Sequence, residues 1–80
     1  MNVTVRFFAS YADSLGRSTM NFVLPEGATV LDLRASIAAL PDASRLPPNP
    51  LIAVNHVYAA PIAPLASGDE IAVIPPVSGG

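Results

Sequence analysis

The sequence closes on Gly79 and Gly80, and we expect the backbone carboxylate of Gly80 to be the reactive group of the chain. Because glycine has no Cβ, a paired-glycine end fits channels that are too narrow for a side chain. The pair also loses more conformational entropy on ordering than other dipeptides. Two glycines are therefore unfavourable at a chain end that has no function. Small residues at a chain end can also have no function, so the preceding segment matters.

Two prolines separate the glycines from an apolar segment at residues 70–74. Proline fixes φ and lacks an amide donor, so these prolines should end sheet pairing and begin an extended stalk. Six extended residues span about 20 Å. We therefore predict a folded domain over residues 1–74 and a protruding Gly-Gly tail over residues 75–80. The tail consists of Pro75, Pro76, Val77, Ser78, Gly79 and Gly80.

The composition narrows the function classes. The 80 residues are 51% hydrophobic, which is enough for one small core. The lack of cysteine excludes disulfides, thiolate metal sites and a cysteine nucleophile, and is compatible with a reducing cytoplasm. The net charge of −2 and scattered arginines disfavour nucleic-acid binding. No leader or membrane-length apolar run is evident, so we expect a cytoplasmic protein that binds neither nucleic acid nor membranes.

Hydrophobic periodicity predicts the first elements. Alternation from the second residue onward predicts a strand that buries Val3, Val5 and Phe7, and a second strand, antiparallel to it, is predicted over residues 19–24. Between them, residues 10–15 should form a short helix that is capped by Ser10 and closed by Gly16. A turn is expected at residues 25–27.

A helical period begins at Thr29, which can form a capping box with Asp32. The helix should end at Pro41, and its apolar face consists of Val30, Leu33, Ile37 and Leu40. Residues 42–50 are rich in proline and are expected to form an exposed loop of no chemical interest. Strands are predicted at residues 51–54, 57–59 and 70–74, with turns at residues 55–56 and 65–69. This order predicts an α+β fold, a β-grasp (ubiquitin-like) mixed sheet packed on one main helix with an extended C-terminal tail.

Few side chains could act as catalysts or ligands. His56 has no nucleophile or second ligand near it in the sequence, and we expect it in a turn. Asp69 and Glu70 are adjacent, so they should point to opposite faces of the sheet rather than form an acid–base pair. Because the six acids are dispersed, we expect no metal site.

The outward face of the sheet offers a better candidate. The parity that buries Phe7 leaves Phe8 on the opposite side, and the same argument turns Ile74 outward. Tyr58 lies in a short strand that could join them. Phe8, Tyr58 and Ile74 would then form an apolar patch at the root of the tail, suited to docking a protein. Alternatively, Phe8 or Tyr58 covers an end of the core.

The whole chain resembles the MoaD family, the small sulfur-carrying subunit of molybdopterin synthase. The resemblance rests on residues 5–9, the short helix closed by Gly16, the turn at residues 53–55 and, above all, residues 68–80. It implies that a partner adenylyltransferase, similar to ubiquitin-activating enzymes, uses ATP to adenylate Gly80. A sulfur donor enzyme would then convert Gly80 to a thiocarboxylate.

By this resemblance, the loaded tail would enter the large subunit of molybdopterin synthase, in a heterotetramer, and give its sulfur to cyclic pyranopterin monophosphate. Phe8, Tyr58 and Ile74 match the positions where the family docks its large subunit. The chain itself would be a co-substrate that binds no cofactor and has no active site of its own. The alternatives are a β-grasp carrier for thiamine, cysteine or tRNA thiolation, a ubiquitin-like protein modifier, and an interaction module.

Overall fold

A computed structural model of the chain describes residues 1–76. It contains five strands, two α-helices and one short 3-10 helix within that range. In chain order they are β1 (Asn2–Phe7), α1 (Ser10–Leu15), β2 (Thr19–Val23), α2 (Val30–Ala38), the 3-10 helix (Ala43–Arg45), β3 (Leu51–Val54), β4 (Val57–Tyr58) and β5 (Glu70–Ile74).

The strands form one mixed sheet in the order β2-β1-β5-β3-β4. Strand β1 pairs antiparallel with β2 and parallel with β5, so the first and last strands lie side by side. On the other side of β5, strand β3 runs antiparallel to it and carries the two-residue edge strand β4. The predicted β-grasp arrangement is confirmed, and β5 is the central strand of the sheet.

The core lies between α2 and one face of the sheet. The alternating residues of β1 that we expected inside, Val3, Val5 and Phe7, are all buried, and so are Ile71 and Val73 of β5. They join one hydrophobic cluster with Val30, Leu33 and Ile37 of α2. Because strand side chains alternate between faces, this burial leaves the opposite face of the central strands free for other contacts.

The start of α2 is fixed by hydrogen bonds at its first backbone amides. The predicted capping box is present: Asp32 Oδ2 accepts from the Thr29 amide at 2.8 Å, and the Asp32 amide donates to Thr29 Oγ1 at 3.5 Å. The next amides, of Val30 and Leu31, donate to the carbonyls of Ala63 and Pro61 at 3.0 Å each. The free N–H groups of the first turn thereby find partners, and the segment after β4 is attached to the helix.

Two predictions about helix ends were wrong. Helix α2 ends at Ala38 rather than at Pro41, and Leu40 packs against the core from the turn that follows. Ser10 does not cap α1, because the residue before the helix is Ala9, at φ 49°, and no side chain caps it. The predicted stop at Gly16 is confirmed, since Gly16 takes the left-handed conformation that glycine accepts without strain.

The proline-rich segment 42–50 is more than the exposed loop that we expected. Leu46 packs against the core, and the Ser14 hydroxyl donates to the carbonyl of Arg45 at 3.2 Å. The Tyr11 side chain is only 1% exposed, and its hydroxyl donates to the carbonyl of Pro47 at 2.6 Å. A buried phenol needs an acceptor, and the backbone of this segment provides it. The segment therefore closes the side of the core next to α1.

Burial raises the pKa of the Tyr11 phenol above its ordinary value of 10.0, and the nearby positive charge of Arg34 opposes that rise. The neutral phenol is thus favoured in the folded state, and it is also the form that donates to Pro47. A raised folded-state pKa contributes stability that is complete below pH 10 and is lost as the pH rises through the folded value.

We expect Tyr11→Phe to lower the free energy of unfolding by about 1 kcal/mol, because the Pro47 carbonyl loses its donor. Between about pH 8 and pH 11 the two proteins should diverge only above about pH 10, where the wild type loses stability more steeply because this variant has no phenol at position 11 to ionise. Urea unfolding across that range measures both effects. Tyr58→Phe, at an exposed tyrosine, is the control and should leave stability nearly unchanged; an equal loss in both variants would contradict the role of Tyr11.

Candidate functional site

A shallow cleft of about 300 Å³ lies on the face of the sheet that does not carry α2. Its lining comes from β1, β3, β5 and the β3–β4 hairpin. The lining residues are Arg6, Phe8, Ala53, His56, Tyr58, Glu70, Ala72 and Ile74. We call this surface the sheet cleft.

The sheet cleft brings together the three residues that the sequence suggested for docking. Phe8 is 44% exposed, Tyr58 is 67% exposed, and Ile74 is partly buried beside them. Neither Phe8 nor Tyr58 belongs to the core cluster, so they do not cover its ends. Their role in binding a partner stays a prediction.

The backbone fixes Phe8 at the rim of the cleft. Its amide donates to the carbonyl of Val73 on β5 at 3.1 Å, and its own carbonyl accepts from the Tyr11 amide at 3.1 Å. Ala9 then reverses the chain with a positive φ of 49°. Phe8 is therefore held between the end of β1 and the start of α1, with its ring turned away from the core that holds Phe7.

The opposite wall of the cleft is the β3–β4 hairpin, whose turn residues Asn55 and His56 have φ angles of 50° and 72°. His56 is in the turn, as predicted. Two hydrogen bonds connect Asn55 to Glu70 at the start of β5, and a third connects it to Asp69 in the preceding turn. The Asn55 amide donates to the Glu70 carbonyl at 2.8 Å, its Oδ1 accepts from the Glu70 amide at 3.0 Å, and its Nδ2 donates to Asp69 Oδ1 at 3.0 Å.

Asp69 and Glu70 have separate structural roles, as expected from their opposite directions. Asp69 Oδ2 accepts from the Ala66 amide at 2.7 Å and closes the turn before β5. Glu70 forms an ion pair with Arg6 across the β1–β5 ladder at 3.3 Å, with both side chains about half exposed. An exposed pair of this kind adds little stability, because water and salt screen it. It gives the apolar cleft one charged margin.

The chemical character of the cleft follows from its lining residues. The cleft is open and mostly apolar, and its titratable groups do not form a nucleophile–base pair of the kind that covalent catalysis requires. Within residues 1–76, no group of three acidic or histidine side chains is placed to hold a metal ion. In the same part of the chain, no helix has the length and apolar character needed to cross a bilayer.

The central strand leads directly from the cleft into the predicted tail. Ile74, the last residue of β5, pairs with Leu51, and sheet pairing ends there, before Pro75 and Pro76. The other residues predicted for the tail and its chemistry lie outside the described range. They are Val77, Ser78, Gly79 and Gly80. The division into a domain over residues 1–74 and a tail over residues 75–80 stays a prediction.

Sequence reasoning identified the exposed aromatic residues but missed the hydrogen bonds that hold them. Asn55 was expected only as a turn residue, and its bonds to Asp69 and Glu70 join positions 14 and 15 residues apart. The parity argument placed Arg6 and Ala72 on the outward face of the sheet. Neither they nor His56 were predicted as part of the docking patch. The one available signal was an asparagine between two short strands, which is typical of a turn with positive φ.

Comparisons with known proteins cover the whole chain. The model of the ThiS family matches residues 5–80. A curated relative, the molybdopterin synthase sulfur carrier subunit of Chlamydomonas reinhardtii, is 37% identical, and the match covers 100% of both chains.

Solved structures have the same fold. SAMP1 (small archaeal modifier protein 1) of Haloferax volcanii superposes with a TM-score of 0.82 at 34% identity, over 100% of both chains. A structure described as molybdopterin converting factor subunit 1 from Pyrococcus furiosus superposes with a TM-score of 0.84 at 30% identity, over 96% of this chain and 99% of that one. A protein–protein complex of subunits 1 and 2 of the molybdopterin-converting factor from Helicobacter pylori contains a chain that superposes with a TM-score of 0.72 at 27% identity, over 100% of both chains.

The adjacent phenylalanines provide a direct test of the two faces. Phe7 is 2% exposed in the core, so Phe7→Ala should lower the free energy of unfolding by about 3–5 kcal/mol. We expect Phe8→Ala, on the cleft side, to lower it by less than about 1 kcal/mol, because its ring adds little to the core. Urea unfolding of both variants measures the difference, and similar losses would contradict the assignment of Phe8 to a binding surface.

Proposed function

The chain belongs to the ThiS family, and on that premise we propose that it is the sulfur-carrier subunit of a molybdopterin synthase. The observation that carries the proposal is the full-length match to the curated sulfur carrier subunit of that enzyme. The resemblance over residues 68–80, which include the closing Gly79 and Gly80, agrees with it. In this role the chain presents a reactive end to other proteins and acts as a co-substrate.

The architecture favours a folded domain that docks on a partner and a tail that presents the reactive group. Strand β5 is held on both sides, by β1 and β3, and passes the sheet cleft just before Pro75. A partner that grips the cleft would therefore have the root of the tail at a fixed place and direction. Pro75 and Pro76 would keep the following backbone extended, and Gly79 would give clearance in a narrow channel.

A carboxylate is a poor electrophile, so the chemistry proposed for Gly80 begins with its activation. A carboxylate oxygen attacks the α-phosphorus of ATP on an adenylyltransferase, pyrophosphate leaves, and a mixed anhydride forms. Sulfur at the oxidation level of sulfide, supplied by a donor enzyme, then attacks the acyl carbon, and AMP leaves with the bridging oxygen. The resulting thiocarboxylate is a sulfur nucleophile at the end of a reach that can bring it against cyclic pyranopterin monophosphate.

The proposed partners are thus an adenylyltransferase similar to ubiquitin-activating enzymes, a sulfur donor enzyme and the large synthase subunit. A two-subunit complex is known for the Helicobacter pylori converting factor, whose subunits 1 and 2 were solved together. We place the catalytic pocket on the large subunit, in a heterotetramer in the cytoplasm. ATP would be used by the activating partner, and this chain would bind no cofactor of its own.

A second candidate is a protein modifier that forms isopeptide bonds through Gly80. The similarity to SAMP1, a small archaeal modifier protein, favours it. Both functions begin with the same activated Gly80 and differ in what attacks it. Intact-mass measurement of the chain isolated from its host separates them. Sulfur in place of one oxygen supports the carrier, adducts on lysines of other proteins support the modifier, and a chain that stays unmodified with the activating enzyme and ATP contradicts both.

Deletion of Gly80 should abolish sulfur loading and leave the fold intact. We expect a change in the free energy of unfolding of less than about 0.5 kcal/mol, because removing a terminal residue takes no side chain from the core. Circular dichroism with urea unfolding measures the fold, and mass spectrometry after incubation with the activating enzyme, ATP and sulfur donor measures loading. Loss of stability together with loss of loading would contradict the separation of domain and tail.

Phe8→Asp should weaken binding to the large subunit about tenfold or more, because it places a charge on an apolar wall of the proposed docking surface. Adenylation of Gly80 should persist, since that step acts on the tail. Calorimetric titration with the large subunit measures affinity. Ile62→Asp is the matched control, at an exposed apolar residue outside the sheet cleft, and should bind like the wild type. Unchanged affinity of Phe8→Asp would remove Phe8 from the docking surface.

A further inference from the structure

We propose that Asn55 and Asp69 are positioning residues that hold the β3–β4 hairpin, with Tyr58 and His56, in the orientation that the large subunit recognises. This inference rests on the proposed function, because it concerns the same docking surface. It assigns a role to two polar residues that do not themselves need to touch the partner.

The hairpin needs an anchor because its own pairing is short. Strand β4 has two residues, lies at the edge of the sheet, and pairs with β3 only through Ala53↔Tyr58 and Val54↔Val57. Its turn has two consecutive non-glycine residues at positive φ, a conformation that costs free energy for most side chains. Two residue pairs hold an edge strand weakly, since even a complete two-stranded hairpin is only marginally stable in water on its own.

The anchor is a continuous chain of hydrogen bonds from one end of β5 to the hairpin. The Glu70 amide donates to Asn55 Oδ1, Asn55 Nδ2 donates to one oxygen of Asp69, and the other oxygen of Asp69 accepts from the Ala66 amide. Both polar atoms of each side chain are used. The hairpin is thereby tied to the central strand, whose direction is set by its two neighbours.

Because these bonds lie near the surface, they should affect the position of the hairpin more than the stability of the domain. Asn55 is exposed, Asp69 is partly exposed, and neither contributes to the hydrophobic core, so each bond should add only about 1 kcal/mol to folding. Without them Tyr58 would sample several positions, and a partner would have to restrict it on binding. That ordering cost lowers affinity without requiring the domain to unfold.

The arrangement permits a reciprocal exchange as a test. Asn55→Asp places two carboxylates face to face where a donor met an acceptor at 3.0 Å. In Asp69→Asn, position 69 has one carbonyl oxygen for the two donors of Ala66 and Asn55. The double variant Asn55→Asp/Asp69→Asn restores all three links with the direction of the middle bond reversed, and its net charge equals that of the wild type. Aspartate also tolerates the positive φ of position 55.

The experiment combines two readouts on the intact chain. The first is the dissociation constant for the large subunit. The second is hydrogen exchange of the Ala59 amide in the free chain, since this amide donates to the Ile52 carbonyl at 2.9 Å next to β4. We expect each single variant to bind about tenfold more weakly and to exchange Ala59 about tenfold faster, and the double variant to recover most of both losses. Asn21→Asp, on the far edge strand, controls for added charge.

Unchanged exchange at Ala59 in both single variants overturns the inference, whether or not the partner binds. So does a double variant that recovers exchange but not affinity, because Asn55 would then contact the partner directly. If the wild type fails to bind the large subunit while Ala59 exchange responds as expected, the positioning of the hairpin stands and the proposed function fails.

Discussion

The structure depends on one constraint: the last strand of the domain is the central strand of the sheet. Strand β5 pairs with β1 on one side and β3 on the other, so its position and direction are determined by both ladders. One face of β5 places Ile71 and Val73 in the core, and the other places Ala72 and Ile74 in the sheet cleft. The same five residues thus contribute to the core, line the sheet cleft and lead directly to Pro75.

Much of the fold could be predicted from local patterns. Period-two alternation located β1 and β5, and the capping box of Thr29 and Asp32 located the start of α2, because these signals involve residues that are close in the sequence. The cleft residues Phe8 and Ile74 followed from the same parity. Helix ends were less predictable. Ala9 precedes α1 with a positive φ that its residue type does not suggest, and α2 stops before the apolar period does.

The features that sequence reasoning missed are bonds between distant residues. Tyr11 donates to a carbonyl 36 positions away, and Arg6 meets Glu70 across 64 positions. Neither bond has a local signal in the sequence. Any backbone carbonyl could accept from a phenol, and an exposed ion pair adds too little stability to be inferred from sequence. The proline-rich segment was therefore predicted as a loop, although its Pro47 carbonyl accepts from the buried Tyr11 hydroxyl and its Leu46 packs on the core. Burial of Tyr11 was the missing fact, and burial is a property of the assembled fold.

If the chain activates Gly80 as proposed, the contrast between a sulfur carrier and a protein modifier would place specificity in the folded domain rather than in the tail. On the proposed chemistry, both functions use the same acyl adenylate at Gly80, so the tail alone cannot choose between a sulfur nucleophile and a lysine amine. The choice must depend on which protein brings its nucleophile to the tail. Within residues 1–76, the sheet cleft combines exposed aromatic residues, a charged margin at Arg6 and Glu70, and proximity to Pro75. On the proposal that a partner docks at this cleft, specificity for the acceptor would depend on how firmly the walls of the cleft are held. Hydrogen bonds of small energetic value, such as those of Asn55, would then matter more for function than for folding.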